Sequence, residues 1–177
     1  MSADFQKLVG SAELLYVGLV HSTFERAPDL ATDVEDLEKF VRQEIEETPV
    51  RASDNELGGD IISCKIRCRI WVDPEKHGDD VGADESFDTA LLRISASYLV
   101  AFHATDSESL SDEAVWKFCE RIGIMSVWPY FRSHCSHYAN EAAIHLPPLP
   151  LKKAVYPIRE LPPSATFKDF SEDEKTA

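Results

Sequence analysis

The chain has 177 residues, of which 44% are hydrophobic and 28% are charged, a composition typical of one globular domain with a buried core. Its 18 basic and 32 acidic side chains give a net charge of −14, so the average surface repels a phosphate backbone and nucleic acid is not expected as a partner. The chain opens without a basic and apolar leader, and no apolar stretch reaches the roughly 20 residues of a membrane span. We therefore expect a soluble cytoplasmic protein with no membrane insertion.

The first third of the chain predicts a helix followed by two strands. Apolar residues at helical spacing favour a short amphipathic helix over residues 3–15. The segment YVGLVHSTF, residues 16–24, follows as a strand that ends before Pro28, because proline cannot donate to a ladder. A second strand is predicted over residues 37–45. The segment RASDNELGGD, residues 51–60, is predicted to be a turn-rich crossover.

The most regular pattern predicts a long strand pair in the middle of the chain. Apolar and polar residues alternate over residues 61–72, the period of a strand with one buried face. After the acidic loop of residues 73–86, a fourth strand runs from Phe87 to about His103 with the same alternation. It matches the third strand as an antiparallel partner. We thus expect an α+β fold in which a four-stranded antiparallel sheet is backed by helices.

Two helices are predicted after the strands. Ser111, followed by two acidic residues, is a favourable start for the first helix, and Gly123 is expected to end or bend it. The second helix is expected to have Pro129 in its first turn. Its core-facing stripe has residues at helical spacing. These are Phe131, Cys135, Tyr138 and Ala142.

A neighbouring stripe of this helix carries a possible metal site. His134, His137 and Glu141 lie three and four residues apart, so their side chains could share a face and chelate a divalent ion. The alternative is that these histidines are solvated or lie in an interface, since no fourth ligand is signalled elsewhere. A small metal-binding protein or enzyme built on these residues is therefore the competing hypothesis for the function.

Other signals of catalysis are absent from the sequence. There is no GxSxG, no HExxH and no glycine-rich phosphate loop among only 7 glycines. The 4 cysteines are interpreted as buried free thiols, because Cys64 and Cys68 would lie roughly 13 Å apart on one strand face. We therefore expect no enzyme activity, no cofactor and no bound metal.

The order of these elements and two short motifs resemble the SecB-like chaperone family, which comprises the protein-export chaperone SecB and its divergent relatives associated with toxin–antitoxin systems. The resemblance runs from Val17 to Leu151. Its most specific anchors are an aromatic-Pro-Tyr-x-Arg segment and a proline-leucine segment. They are Trp128, Pro129, Tyr130 and Arg132, with Leu146, Pro147, Pro148 and Leu149.

The resemblance implies a dimer of dimers that holds unfolded client chains in exposed apolar grooves without ATP. The clients would be exported proteins or, as in the divergent relatives, an unstable antitoxin, and an export motor or the antitoxin would be a partner. The chain departs from the family pattern after residue 151, where three prolines forbid a long final helix. Residues 1–151 are thus expected to form a single SecB-like domain, and residues 152–177 a proline-containing acidic tail.

The pattern also indicates which residues would contact clients. Alternation puts a set of apolar residues on the sheet face opposite the helices, where a holding chaperone needs unburied apolar surface. They are Ile61, Trp71, Phe87, Leu91 and Leu99. The alternative, that the crossover segment covers them, stays open, and for Trp71 it would mean packing under residues 50–57.

A second set of residues is expected at an oligomer interface. The two helices carry more large apolar side chains than one four-stranded sheet can cover, so part of this row should face another subunit, in a homotetramer. The predicted interface residues are Trp116, Met125, Trp128, Phe131 and His134.

Overall fold

An antiparallel sheet packed on one face by helices forms the fold seen in the computed structural model. The structure describes residues 3–28, 30, 37–54, 56, 58–73, 87–105, 110–147 and 149. The first helix, α1, spans Ala3–Ser11, and it leads directly into strand β1, Ala12–Arg26. The predicted helix over residues 3–15 was therefore too long, because the apolar run from residue 12 onward pairs as a strand.

Five strands make up the sheet, in the order β1-β5-β4-β2, with β3 paired to the remaining length of β4. Their bounds follow the prediction closely except at β3 and at the starts of β1 and β5. They are β2, Glu38–Ile45; β3, Val50–Asp54; β4, Gly59–Asp73; and β5, Leu92–Ala104. Every pairing is antiparallel, so the predicted antiparallel sheet backed by helices is confirmed. The sheet has five strands rather than the predicted four, because β3 was not predicted.

The segment predicted to be a crossover is instead a hairpin. Residues 50–54 form β3, which pairs with the first residues of β4. Gly58 in the turn and Gly59 at the start of β4 have φ of 67° and 139°. These positive φ values favour glycine. The abundance of turn residues in this segment reflects that turn, and it concealed the short strand in front of it.

The alternation predicted for β4 and β5 produces the core. Residues of the two strands that pair directly, such as Ile62 with Phe102 and Ile70 with Ile94, point to the helices and are buried. We call this side the inner face of the sheet and the opposite side the outer face. The predicted fourth strand starts too early, because residues 87–89 form a helical turn and β5 begins only at Leu92.

The helical part is one nearly continuous rod. Helix α2, Asp112–Phe118, is capped by Ser111, whose hydroxyl accepts a hydrogen bond from the Ala114 N–H at 3.3 Å, as predicted. A π-helical turn, Cys119–Gly123, joins it to helix α3, Ile124–Glu141.

Two predictions about this rod need correction. Gly123 does not end the helical rod, which continues into α3. A Cβ atom at this position would lie 3.0 Å from Ile66 Cδ1 and 3.2 Å from Cys64 Sγ, so the absence of a side chain allows the rod to pack closely on β4. Pro129 lies inside α3 rather than in its first turn, because the helix begins five residues before it, at Ile124. The proline has no N–H to donate to the carbonyl one turn earlier.

None of the described helices combines the length and the hydropathy that a bilayer crossing needs. The expected tail of residues 152–177 lies outside the described residues, so the predicted domain boundary stays a prediction.

Candidate functional site

The residues predicted to contact clients differ widely in exposure. Leu99 is 40% exposed, whereas Ile61 and Phe87 are half-buried and Trp71 is only 4% exposed. Leu91 packs beside a small apolar cluster at one end of the sheet, so much of its side chain is covered. Within the predicted set, Leu99 is thus the residue with the most accessible apolar surface.

Trp71 lies on the outer face, as its alternation predicted, but other aromatic side chains cover it. The ring of Phe40 stacks on it with 5.4 Å between centroids, and the ring of Phe87 meets it edge-on at 5.7 Å. The guanidinium of Arg69 lies over the Phe87 ring at 5.2 Å. The covering partners come from β2 and from the helical turn before β5, not from residues 50–57.

The central part of the outer face is polar. Arg67 forms an ion pair with Glu46, and Arg69 donates to Glu44 at 2.8 Å. Burial alone would raise the pKa of Glu46, but hydrogen bonds from Ser97 and Arg67 outweigh it and lower that pKa. A continuous apolar groove on this face would have to cross these charged pairs.

A larger apolar surface lies on β1, which the sequence patterns did not single out. Five of its large apolar side chains are between 47% and 54% exposed, and we call them the β1 patch. They are Leu14, Leu15, Tyr16, Leu19 and Val20. The signal in the sequence was the nearly unbroken apolar run LLYVGLV, which leaves apolar residues on both faces of a strand. Within the described residues β1 pairs only with β5, so its other edge is available.

Next to the β1 patch is a cavity of about 310 Å³ on the inner face. It lies between α3 and the end of the sheet that β1 forms, and we call it the edge cavity. Its walls combine aliphatic, aromatic and polar side chains. They are Val17, Leu19, Tyr98, Tyr130, Ser133, His134 and His137.

Two polar side chains that line the edge cavity have buried atoms without a hydrogen-bond partner among the described residues. They are the hydroxyl of Tyr98 and Nε2 of His134. Burial raises the pKa of the Tyr98 hydroxyl, which keeps it protonated. Burial also lowers the pKa of His134, and the neighbouring His137 lowers it further, which favours the neutral imidazole.

The histidines of α3 do not converge as a metal site in this part of the chain. His137 Nε2 lies 3.3 Å from Glu141 Oε1, while the ring of His134 packs edge-on against the ring of Tyr138 at 4.5 Å. The described residues contain no group of three His, Cys, Asp or Glu side chains that could hold a metal ion. The geometry therefore offers no support to the competing metal hypothesis.

The residues predicted for an oligomer interface divide into two groups. Phe131 is fully buried and Trp128 is 6% exposed, so both belong to the core of this chain rather than to a free surface. Trp116 and His134 are half-buried, and Met125 is 51% exposed. The helix packs more of its large side chains onto the sheet than the sequence argument allowed, and only Met125 has a largely accessible side chain.

Comparisons with known proteins agree with the resemblance. No protein-family model matches the chain. The SecB-like chaperone SmegB of Mycolicibacterium smegmatis is 25% identical over 151 residues, which cover 85% of this chain and 82% of the relative. Among solved structures, the SecB-like chaperone Rv1957 of Mycobacterium tuberculosis, in complex with a ChAD peptide from the Rv1956 HigA1 antitoxin, aligns with a TM-score of 0.58. That alignment covers 89% of this chain and 100% of the solved chain at 14% identity, so it shows a shared fold.

The sequence match spans most of both chains, and the solved structure shares the fold of this chain. The chain is thus similar in sequence to one SecB-like chaperone and similar in fold to another.

Proposed function

We propose that the chain is a holding chaperone, which binds extended segments of unfolded client proteins without ATP. The observation that carries this proposal is the β1 patch beside the edge cavity. Five of the nine exposed large apolar side chains of the described residues lie on this one strand. A concentration of large exposed apolar side chains on one strand commonly marks a binding site. The relatives are named SecB-like chaperones, which supports the same activity.

The physical basis of client binding would be burial of apolar area together with strand pairing. Each Å² of apolar surface removed from water contributes about 25 cal/mol. An extended segment can also pair its backbone with the free edge of β1, which adds affinity without requiring a particular sequence. The net charge of −14 would favour basic clients and keep the complex in solution.

The outer face is proposed as a secondary contact region. Leu99 on β5 and Ile61 on β4 retain accessible surface on this face. Both residues lie on the two central strands of the sheet. Trp71, Phe87 and Leu91 would reach a client only if their covering partners moved. We therefore assign the primary contact to the β1 patch and a supporting one to Leu99.

We further propose that the chain assembles as a homotetramer, a dimer of dimers. The exposed side chain of Met125 on α3 lies away from β1, and a second copy could cover it while the β1 edge stays available to clients. A sedimentation mass of a single chain at working concentrations would contradict this part of the proposal.

Protection of an antitoxin is the pathway that the comparisons favour, since the structural neighbour was solved with an antitoxin peptide. Delivery of clients to an export motor is the second pathway. A toxin–antitoxin gene pair beside the gene for this chain would support the first. The 4 cysteines, all buried and free, fit a reducing cytoplasm.

The direct test is suppression of aggregation. A chemically unfolded model protein is diluted into buffer without nucleotide, with increasing amounts of the chain, and light scattering is followed. We expect scattering to fall at stoichiometric ratios. No reduction at several-fold excess would contradict the proposal, and capture of one folded partner with no effect on unfolded clients would indicate an adaptor instead.

A further inference from the structure

Strand β1 does not pair with β5 as one regular ladder. Its register with β5 shifts between Leu14 and Tyr16 and again between Leu19 and His21, so each shift leaves one extra residue on β1. One extra residue on one strand is a β-bulge, which bends that strand and interrupts the hydrogen-bonding pattern along it. The two bulges divide β1 into three runs, and we call the second of them the middle run. The runs are Ala12–Leu14, Tyr16–Leu19 and His21–Arg26.

The bulges also determine which side chains of the middle run reach the edge cavity. Val17 and Leu19 are paired with Val100 and Tyr98, which are buried on the inner face. The side chains of Val17 and Leu19 therefore lie on the inner face as well, and both line the edge cavity. The middle run thus presents two inner-face positions, two residues apart, beside one cavity.

The outer face of the middle run is covered by its own tyrosine. Tyr16 and Gly18 are paired with Ala101 and Leu99, which places them on the face opposite Val17. A Cβ at Gly18 would overlap the ring of Tyr16, so this ring lies across the glycine. A side chain that points outward beside the middle run would therefore meet a ring surface rather than the edge cavity.

The other two runs of β1 differ from the middle run on the inner face. In His21–Arg26, Ser22 shares a hydrogen bond with the Tyr138 hydroxyl at 2.8 Å, and the ring of Phe24 stacks on the same ring at 5.3 Å. Side chains of α3 therefore already occupy this part of the inner face. The run Ala12–Leu14 contributes no residue to the wall of the edge cavity. Of the three runs, the middle one is the run that borders the cavity.

The free edge of the middle run can pair with an extended backbone. Every second residue of a strand directs its N–H and C=O to the same side, so alternate residues of the run face the free edge. A paired segment keeps its register only until the next bulge, and its side chains alternate between the two faces. In such strand addition the main chain supplies affinity, and pockets for alternate side chains supply specificity.

We propose that the middle run and the edge cavity recognise a short extended client segment in which two apolar residues are separated by one residue. The two apolar side chains would lie in the edge cavity beside Val17 and Leu19, and the residue between them would point to the outer face. This inference rests on the proposed holding activity and adds to it a length and a pattern for the segments that are held.

The size and position of the edge cavity support this occupant. Its volume of about 310 Å³ is at the lower end of the roughly 300–1,000 Å³ of ligand pockets, which suits a short segment. The cavity is continuous with the β1 patch, because Leu19 belongs to both. A segment paired with the middle run would therefore cover part of the exposed patch and fill the cavity at the same time.

The two bulges favour an unfolded segment over a preformed strand. A strand of a folded protein, or of a second copy of this chain, would lose register with β1 at each bulge, and bulges are a common means of blunting an edge against such pairing. An unfolded segment can leave the edge at either bulge, because no neighbouring strand holds its backbone. The edge thus discriminates by the flexibility of its partner.

The test uses short fluorescent peptides that have the same composition and differ only in the order of their residues. Each contains two leucines among threonines and lysines, and the leucines are adjacent, separated by one residue or separated by two residues. Binding to the full chain is measured by fluorescence anisotropy. We expect the peptide with one intervening residue to bind about tenfold more tightly than the other two, because only its leucines point to the same face of a strand.

Pairing of the backbone is tested by methylating one amide nitrogen at a time in the tightest peptide. Methylation at alternate positions should weaken binding about fivefold, and methylation at the positions between them should have little effect, because only one edge of the peptide faces β1.

Leu19→Ala and Val9→Ala form a matched pair of variants. Leu19 is 48% exposed and lines the edge cavity, whereas Val9 is 44% exposed on α1 and does not line it. Leu19→Ala should reduce the difference in affinity between the three peptides. Val9→Ala should leave that difference unchanged.

The outcomes separate this inference from the holding activity. Equal affinities of the three peptides for a chain that suppresses aggregation would overturn the inference and leave the holding activity in place. An equal effect of methylation at every position would overturn the pairing with β1. A shift in subunit dissociation with Leu19→Ala, without a change in peptide binding, would assign the middle run to a second copy of the chain. Failure to bind any peptide or to suppress aggregation would contradict the holding function itself.

Discussion

Trp71 on β4 stacks against Phe40 on β2, with ring centroids 5.4 Å apart and an angle of 17° between the planes. The two residues are direct cross-strand partners. Their contact therefore joins β2, at one edge of the sheet, to β4 in its centre. With Phe87 edge-on at 5.7 Å, Trp71 is enclosed on the outer face. The structure thus favours a packing role over direct client contact for this tryptophan.

Truncation of Trp71 should therefore reduce stability. Trp71→Ala removes a nearly fully buried ring together with two aromatic contacts, and we expect the free energy of unfolding to fall by about 3–5 kcal/mol. Leu99→Ala, at a residue that is 40% exposed, is the control and should change the free energy of unfolding far less. Urea titration followed by circular dichroism measures both. A Trp71→Ala variant with unchanged stability and weaker client binding would restore the direct-contact interpretation.

Two helical glycines should respond in opposite directions to added side-chain volume. A Cβ at Gly10 in α1 would meet nothing within 4 Å, so Gly10→Ala should stabilise the chain by about 0.5–1 kcal/mol through helix propensity. A Cβ at Gly123 would already crowd Ile66 and Cys64, so Gly123→Val should destabilise it by about 1–3 kcal/mol. Thermal unfolding of the two variants checks the signs. A Gly123→Val variant as stable as the unmodified chain would show that the rod is not held against β4.

The stability of the chain should depend on pH through His134. Its pKa in the folded chain lies below the ordinary value near 6.5, first because of burial and then because of His137. Between the two pKa values the unfolded chain binds more protons, so stability rises with pH across this window. The contribution is fully present above about pH 6.5 and is lost as the pH falls toward the folded pKa.

Unfolding measured over a pH series tests this dependence. His134→Gln should show a smaller loss of stability on acidification than the unmodified chain. His137→Gln should also reduce the slope, because it removes a neighbouring charge. If the free energy of unfolding fell equally with acidification in all three proteins, His134 would not be the group responsible for the pH dependence.

The sheet was predictable because strict alternation along residues 61–72 and in the following strand assigns each side chain to a face. The short strand β3 was missed because turn residues dominate the segment after it, and its pairing depends on contact with β4. Burial of Trp71 depends on Phe40, which a separate strand brings beside it. Local periodicity contains no information on that contact.

The candidate site could be predicted from the sequence only in part. The apolar run on β1 predicted a strand, but its exposure follows from the position of β1 at the end of the sheet order. The edge cavity combines residues from β1, β5 and α3, and the partnerless atoms of Tyr98 and His134 become evident only once those elements are packed. The competing metal hypothesis gains no support from the described residues, because the ring of His134 packs edge-on against Tyr138.

The most direct test of the account is whether an unfolded client lies on the β1 patch. A photo-crosslinking residue is placed at Leu19, which belongs to both the patch and the cavity wall, and in a separate variant at Glu47, which has a side chain 66% exposed on a different strand connection. After illumination with a chemically unfolded protein, we predict crosslinked product from position 19, competed away by unlabelled unfolded protein, and little from position 47. Equal crosslinking from both positions, or none from position 19 while the chain still suppresses aggregation, would contradict the account.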